Sequence, residues 1–360
     1  MTNFNPITVK TGDDTRILII YTGGTLGMVF DEQKKTLVPF RFHETLQKLP
    51  ELNHLSPEIH LVSFEKPIDS SDVNAEIYLT LSGIIERHYH TYDGFVIIHG
   101  TDTMAFTASA LSFLIHNPHK PIVFTGAQLP IGIPRTDARE NLITSIEIAA
   151  AKQNVPGQGA ARTKSKAVVP EVCIYFNGRL LRGNRARKRE SSQFDAFDSE
   201  NYPYLAEIGV YIDYNFRHIR YSEGETRFYN VLSDQVSVLT LFPGISKEIL
   251  RKHLLHESTR GVILLTYGSG NAPSADWFID IIQQAIDSGK AVLNITQCTG
   301  GKVMMGKYAS SQLLKDIGVI SGSDMTLEAA VGKMMWALTQ TGTPIKEIFE
   351  QNLAGEISLP

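Results

Sequence analysis

The chain has 360 residues, of which 42% are hydrophobic and 20% are charged, a composition typical of ordinary globular proteins. Its formal net charge of -4 gives no overall attraction to nucleic acid or to an anionic membrane surface. The two cysteines, Cys173 and Cys298, lie far apart and outside any CxxC pattern, which argues against a disulfide framework or a zinc knuckle.

The length of the chain exceeds what one hydrophobic core usually serves, so two domains are expected. The longest aliphatic runs have the length of strands and fall short of a membrane span. The N-terminal sequence MTNFNPITVKTGDDTR lacks the apolar segment of a secretory signal. We therefore expect a cytoplasmic enzyme or binding protein with no membrane partner.

Strand-like and helix-like segments alternate through the first half of the chain, the pattern of βαβ units around a parallel sheet. The predicted strands are Arg16–Tyr21, Phe95–His99, Pro121–Thr125 and Glu171–Phe176, and the predicted helices are roughly Val73–His90, Met104–Ile115 and Ala138–Lys152. The first helix shows apolar residues at three- and four-residue spacing, which gives it one buried face. The stretch Gln153–Ser165 is predicted to be an exposed loop.

The second half begins with a Tyr-rich stretch, Asn201–Asp234, that is typical of strands or an extended connection. A second α/β set follows, with strands near Val236–Phe242, Gly261–Tyr267 and Ala291–Thr296 and helices near Lys247–His256, Ala275–Ser288, Thr326–Gln340 and Pro344–Asn352. The predicted fold is α/β, with a larger N-terminal domain (1–209) carrying a mainly parallel sheet. A connection (210–233) leads to a smaller C-terminal α/β domain (234–360).

The first candidate site is the turn of the segment IIYTGGTLGM, Ile19–Met28, which follows a buried aliphatic strand. Ligands bind beyond the carboxyl ends of strands in open α/β sheets, and paired glycines let the backbone approach a ligand closely. Thr25 is therefore expected at the mouth of a site. The alternative is an ordinary turn in which the threonines serve only as caps.

Two further segments are candidates for the site. In HGTDTM, His99–Met104, a hydroxyl (Thr101) and a carboxylate (Asp102) lie where a strand gives way to a helix, although either residue there is also a standard helix N-cap. In PIDSSDV, Asp69, Ser70 and Ser71 could bind the charged head group of an amino acid. Alternatively, Ser71 or Asp72 merely caps the next helix.

The segment FNGRLLRGNRARKRE, from Phe176, contains six basic residues between positions 179 and 189. A nucleic-acid patch is one interpretation, but the acidic overall balance and the absence of interleaved aromatic residues disfavour it. We expect most of these charges to be solvated or paired, and a buried lysine among them could act on a neighbouring hydroxyl. In TYGSGNAP, Asn271 lies in another strand-end turn, where a structural role is the more common one.

Several familiar motifs are missing from the sequence. TGGTLG is neither GxGxxG nor a P-loop, GSG lacks the spacing of a nucleophile elbow, and HExxH does not occur. His88 and His90 lie two apart on a predicted helix, so their side chains diverge and do not chelate a metal together. We expect no metal centre.

The ordered set YTGGTLGM, DSSD, DGFVIIHGTDTMAFTASALSF, RGNR..K, YGSGNAP and TQC..GKV resembles the bacterial-type L-asparaginases, and the intracellular type I branch in particular. The resemblance extends along essentially the whole chain. It implies two α/β domains and hydrolysis of L-asparagine to L-aspartate and ammonia without a cofactor.

The resemblance also implies roles for individual residues. The second threonine of TGGT, here Thr25, is the family's nucleophile. Thr101, Asp102 and Lys188 match its Thr-Asp-Lys relay, and its substrate-binding positions fall on Asp69, Ser70, Ser71, Thr101 and Asp102. The family's sites are completed by a neighbouring subunit, which implies a homotetramer built from close dimers, with Asn271 as a contributor across subunits.

The chain departs from the family pattern at one position of the site. Family members carry a tyrosine in the loop after the nucleophile, whereas this chain has none between Tyr21 and Tyr78, and its loop reads VFDEQKKTLVPF. No residue is assigned to that role. The connection at Gln153–Ala167 is also long for the type I branch.

The chemistry expected from these residues is an activated threonine. Asp102 would orient Lys188, and Lys188 would relay the proton of Thr25 through Thr101 or water. Backbone N–H groups of the Gly23-Gly24 turn or near Thr101 are candidate oxyanion donors. The alternatives are action on glutamine or on amidated tRNA, and, in a different class, a non-catalytic amino-acid sensor.

Overall fold

The computed structural model describes residues 4–31, 35–39, 42–47, 49–155 and 164–358. It divides into two compact units. The first runs to Ser199 and includes Pro203–Tyr229, and the second comprises Glu200–Tyr202 and the chain from Asn230 onward. The predicted α/β class is confirmed, whereas the domain limits given above remain predictions.

The first unit is built on a nine-stranded sheet with strand order β1-β5-β2-β6-β8-β11-β12-β15-β16. Its strands, with those of the small accessory sheets, are β1 Ile7–Lys10, β2 Arg16–Gly23, β3 Met28–Asp31, β4 Thr36–Pro39, β5 Glu58–Ile68, β6 Gly94–Ile98, β7 Ile115–His116, β8 Ile122–Thr125, β9 Lys152–Val155, β10 Lys164–Ala167, β11 Val172–Phe176, β12 Arg179–Arg182, β13 Arg187–Lys188, β14 Phe197–Asp198, β15 Ala206–Ile208, β16 Ile212–Tyr214 and β17 Arg227–Phe228. Its helices are α1 Phe42–Gln47, α2 Ala75–His88, α3 Met104–Leu114 and α4 Ala138–Ala150.

The central strands of this sheet, from β5 through β2, β6 and β8 to β11, are parallel, and the outer pairings are antiparallel. Residues Ile17–Ile20 of β2 are fully buried, which explains their continuous aliphatic sequence, since a central parallel strand is covered on both faces. The sheet is thus largely parallel, as predicted.

One strand of this unit was missed, and one prediction needs correction. The long strand β5 was not predicted, because its sequence EIHLVSFEKPI mixes charged and apolar residues. The stretch Gln153–Ser165 is not simply a loop, because β9 and β10 form an antiparallel pair in which Val155 lies opposite Lys164. Residues 156–163 lie outside the described residues. The strands β15, β16 and β17 confirm the strand prediction for Asn201–Asp234.

The second unit contains a parallel four-stranded sheet with order β18-β19-β20-β21. Its elements are β18 Val236–Thr240, β19 Gly261–Thr266, β20 Ala291–Thr296, β21 Ile320–Ser321, α5 Lys247–Leu254, α6 Asp276–Asp287, α7 Ala309–Asp316, α8 Leu327–Ala337 and α9 Ile345–Glu350. The predicted strands and helices are all present, and α7 is an additional helix. Across the described part of the chain, no helix is both long enough and apolar enough to cross a bilayer.

Candidate active site

The first three sequence candidates lie at one edge of the large sheet. Strand β2 pairs in parallel with β5 on one side and β6 on the other, so the turns after these three strands emerge together. We call the turn that carries Thr25 the first turn, the turn that carries Thr101 and Asp102 the second turn, and the turn that carries the Asp69–Ser71 segment the third turn. The carboxyl edge of a parallel sheet is the usual place for a ligand site.

Glycines bring the three turns into direct contact. A Cβ atom on Gly24, whose φ is +85°, would lie 2.6 Å from the backbone nitrogen of Gly100. A Cβ atom on Gly100 would lie 2.5 Å from Oγ of Ser70. Side chains at these two positions would therefore force the turns apart, and the glycines are what allow Thr25, Ser70 and Thr101 to be neighbours.

Thr25 begins a short 3₁₀ turn that directly follows β2. The N-cap residue of this turn is Gly24 and no side chain caps it, so the alternative of a purely capping threonine is wrong. The next residue, Leu26, is fully buried, and the hydroxyl of Tyr21 lies 3.4 Å from the carbonyl oxygen of Gly27. These contacts hold the turn against the core of the unit, and Thr25 itself is half-buried at the edge of the sheet.

Lys188 joins the second turn to the site. Its Nζ atom donates to Oγ1 of Thr101 at 2.7 Å and to Oδ1 of Asp102 at 2.7 Å. Lys188 lies on β13, where it is opposite Phe197 of β14, and its side chain is 17% exposed. A primary amine held between a hydroxyl and a carboxylate is a suitable group for moving a proton to or from that hydroxyl.

The capping alternative for Thr101 and Asp102 is also wrong. Helix α3 begins at Met104, and its N-cap residue is Thr103. The hydroxyl of Thr103 donates to the carbonyl oxygen of Ser70 at 2.6 Å, which ties the second turn to the third. Thr101 and Asp102 are therefore free of a helix-capping role and contact Lys188.

Three other residues of the basic run form ion pairs. Arg179 contacts Asp195, Arg182 contacts Glu171, and Arg189 contacts Asp198. Arg185 is 1% exposed. This agrees with the expectation that most of the run is neutralised locally, and it distinguishes Lys188, whose contacts include a hydroxyl at the site.

Asp69 heads the third turn as an ionised acceptor. Its Oδ1 atom accepts hydrogen bonds from the backbone N–H and the hydroxyl of Ser71, each at 2.9 Å, and these bonds hold the pKa of Asp69 below its usual range. The N-cap of α2 is Asn74, so the capping role considered for Ser71 or Asp72 is wrong. A carboxylate beside hydroxyls suits a ligand that carries an ammonium and a carboxylate group.

His99, the last residue before the second turn, has no role in the sequence interpretation. Its Nδ1 atom lies 2.7 Å from the carbonyl oxygen of Gly100, and its Nε2 atom lies 3.0 Å from Oγ1 of Thr107. Burial lowers the pKa of His99 to about 4. The ring is therefore neutral at pH 7.

This pKa predicts a pH dependence of stability. Between the usual pKa of about 6.5 and a folded value of about 4, the unfolded chain binds a proton at His99 that the native protein does not, so stability is lost as the pH falls through that window. From pH 7 to pH 5 the loss from this residue is about 2 kcal/mol. When the free energy of unfolding in urea is measured at both pH values, wild type should lose about 2 kcal/mol more than His99→Asn between pH 7 and pH 5. Equal losses in both proteins would contradict the prediction.

Asn271 occupies a tight turn of the second unit. Its backbone forms a bridge with Tyr267, and its Oδ1 atom accepts a hydrogen bond from the hydroxyl of Ser310 at 3.2 Å. Asn271 therefore has the structural role that its turn predicted. Its contribution to a neighbouring subunit stays a prediction.

Neither a metal cluster nor a disulfide is seen in the described residues. No three His, Cys, Asp or Glu side chains in that part of the chain lie together as metal ligands. Cys173 is a buried free cysteine, and Cys298 is an exposed one.

Comparison with known proteins gives matches along nearly the whole chain. Residues 16–220 match the family model "Asparaginase, N-terminal", and residues 235–350 match "Glutaminase/Asparaginase C-terminal domain". L-asparaginase 1 of Escherichia coli K12 is 40% identical over 347 residues, which is 95% of this chain and 98% of the relative.

Two solved structures are similar in fold as well. L-asparaginase I from Vibrio cholerae superposes with a TM-score of 0.83 at 36% identity, covering 96% of this chain and 99% of its own. The thermostable L-asparaginase from Thermococcus kodakarensis gives a TM-score of 0.84 at 31% identity, covering 96% of this chain and 100% of its own.

Proposed function

Because this chain belongs to the asparaginase family and is an L-asparaginase, we propose that it hydrolyses L-asparagine through an acyl-enzyme on Thr25. The observation that supports this mechanism best is that the Lys188 amine lies 2.7 Å from Thr101 and from Asp102. These two residues belong to the turn that packs against the turn of Thr25. The site residues named below are proposals that rest on this geometry and on the family pattern.

In the first half-reaction, Oγ1 of Thr25 attacks the side-chain amide carbon of asparagine. Its proton passes to the Lys188 relay, and the tetrahedral intermediate collapses with loss of ammonia, which leaves with that proton. The C–N bond breaks, and an ester joins Thr25 to the aspartyl group. The nucleophile and the base of this mechanism are both side chains, and neither half-reaction requires a cofactor.

In the second half-reaction, water attacks the ester. Thr101 and Lys188 accept the proton of that water, the ester C–O bond breaks, and aspartate leaves as Thr25 recovers its hydroxyl proton. Asp102 keeps the Lys188 amine oriented toward Thr101 throughout. The proposed donors to the oxyanion are backbone N–H groups of the Gly23-Gly24 turn or near Thr101.

Asp69, Ser70 and Ser71 bind the amino-acid end of the substrate in this proposal. The ionised Asp69 pairs with the α-ammonium, and the hydroxyl of Ser70 donates to the α-carboxylate. Ser71, whose N–H and hydroxyl both donate to Asp69, keeps that carboxylate in place. Asp102, with 65% of its side chain exposed, adds a second negative charge near the ammonium.

The proposed substrate is asparagine, with glutamine as the closest competitor. One additional methylene changes discrimination by only about 1–3 kcal/mol, so weak turnover of glutamine is compatible with the site. Ammonia release measured over a concentration series of each amino acid tests the proposal, and the same experiment excludes a non-catalytic sensor if asparagine is turned over. Binding of asparagine without ammonia release would favour the sensor.

We also propose that the protein assembles as a homotetramer of close dimers, with Asn271 completing the site of a neighbouring subunit. The hairpin between β15 and β16, at the edge of the large sheet, exposes Val210 and Tyr211 almost fully, and exposed apolar residues of this kind mark association surfaces. A two-fold axis would place the turn that carries Asn271 of each subunit in the site of its partner.

Mixing two inactive variants tests the shared site. Thr25→Ala and Asn271→Ala should each be inactive alone, and subunit exchange between them should restore part of the activity, because a mixed dimer contains one intact site. Ser310→Ala serves as a control, since it removes the donor to Asn271 without removing its amide. A fully active monomer in light scattering, or no recovery after proven exchange, would contradict the proposal.

A cytoplasmic location is proposed as well. The free, exposed thiol of Cys298 suits a reducing compartment. Cell fractionation followed by an ammonia-release assay of each fraction tests it.

A further inference from the structure

We propose that His99 is a positioning residue of the active site, whose ring holds the Gly100–Thr101 peptide in the orientation that presents Thr101 to Lys188. This inference rests on the proposed function, and it assigns a role to a buried polar side chain that the mechanism above does not use.

The hydrogen bonds fix the state of the ring. The carbonyl oxygen of Gly100 can only accept, so Nδ1 of His99 must carry the proton in the 2.7 Å contact. In a neutral imidazole the other nitrogen is then an acceptor, and Thr107 donates its hydroxyl proton to Nε2 at 3.0 Å. Both ring nitrogens are thus satisfied by fixed partners in a fully buried position.

The backbone of His99 belongs to the rigid sheet. It follows β6, and its N–H donates to the carbonyl oxygen of Thr125 at the end of β8 at 2.9 Å. Gly126 packs so closely on this residue that a Cβ atom there would lie 2.5 Å from the carbonyl oxygen of His99. The ring is therefore attached to backbone that is hydrogen-bonded to the neighbouring strand and closely packed.

The bond from the ring acts on the residue that touches Lys188. Because a peptide unit is planar, holding the carbonyl of Gly100 toward the ring also fixes the direction of the Thr101 N–H on the opposite side of the same unit. Thr101 continues from that unit, and its hydroxyl is 2.7 Å from Nζ of Lys188. Losing the ring would free a peptide in which Gly100 imposes little restraint of its own.

Two amide substitutions separate the two hydrogen bonds of the ring. In His99→Asn the side-chain amide nitrogen can occupy the place of Nδ1 and still donate to Gly100, whereas in His99→Gln the amide reaches the place of Nε2 and loses that bond. His99→Leu removes both. The experiment measures kcat and KM for ammonia release from asparagine by the full-length protein, together with the thermal unfolding midpoint of each variant.

We expect His99→Leu and His99→Gln to lower kcat by about 10- to 100-fold with a much smaller change in KM, the scale on which a misplaced catalytic group reduces rate. His99→Asn should recover most of that loss, even if its melting temperature is as low as that of His99→Gln. A role confined to core packing would instead lower stability in all variants and leave kcat close to that of wild type.

Two results would overturn the inference: a wild-type kcat in His99→Gln, or a loss in His99→Asn as large as in His99→Gln. If His99→Leu fails to fold, the comparison of the two amide variants still decides. Failure of the proposed function is distinguishable, because the wild-type protein would then release no ammonia from asparagine in the same assay. Thr107→Val, compared with Thr107→Ser, reports separately on the bond to Nε2.

Discussion

Thr25→Ala is expected to fold as wild type does and to release ammonia from asparagine more slowly by a factor of about 10⁴ or more, as when an enzyme loses its nucleophile. The reason is local. Thr25 lies at the carboxyl edge of the sheet, on a turn that the buried Leu26 holds in place. Its side chain supplies the hydroxyl that directly follows Gly23 and Gly24. In the proposed mechanism, removing its Oγ1 atom deprives the first half-reaction of the hydroxyl that Thr101 and Lys188 activate.

Two matched variants separate chemistry from packing at this position. Thr25→Val keeps the branched shape and should be as inactive as Thr25→Ala, whereas Thr25→Ser keeps the hydroxyl and should retain measurable turnover. Circular dichroism and the thermal midpoint check that each variant is folded. Activity of Thr25→Ala within about tenfold of wild type, a barrier change of about 1.4 kcal/mol, would exclude Thr25 as the nucleophile.

Lys188→Met is expected to reduce turnover by about 10³-fold or more, because it removes the only amine that contacts Thr101 within the described part of the chain. Lys188→Arg should be almost as inactive. An arginine keeps the positive charge beside Asp102 but cannot give up its proton at the pH of the assay, so it cannot serve as a relay.

Arg189→Met is the control for Lys188→Met. Arg189 is the adjacent cation, and it forms an ion pair with Asp198 at 2.6 Å. Its substitution should leave kcat largely unchanged. Equal losses in Lys188→Met and Arg189→Met would indicate a diffuse electrostatic or structural role for the basic run. High activity in Lys188→Arg would instead mean that Lys188 contributes charge and no proton transfer.

The parts of this fold that could be predicted from the sequence are those with an unambiguous local pattern. The run Ile17–Ile20 is fully buried in β2, and the predicted helices of the first unit differ from α2, α3 and α4 by no more than two residues at either end. In each case a continuous aliphatic run or a regular helical spacing determines both the element and its burial. The same patterns located the strand ends that precede Thr25 and Thr101.

What the sequence did not predict depends on contacts between distant segments. Strand β5 places Asp69 at the site, yet its interspersed charges hide it, because only some of its positions face the core. The contact of Gly24 with Gly100 joins segments more than seventy residues apart, and no local signal reports it. His99 was visible in HGTDTM, but its buried contact with Thr107 becomes apparent only once α3 is packed.

The most direct test of the central claim is a mass-spectrometric map of the covalent intermediate. Wild-type protein is quenched in acid during turnover of asparagine and digested, with Thr25→Ala treated in parallel. We expect an aspartyl ester on the wild-type peptide that contains Thr25, present while substrate remains and absent once asparagine is consumed. The variant should carry no such ester at any time. An ester on any other side chain, or an unmodified Thr25 peptide throughout active turnover, would contradict the proposed mechanism.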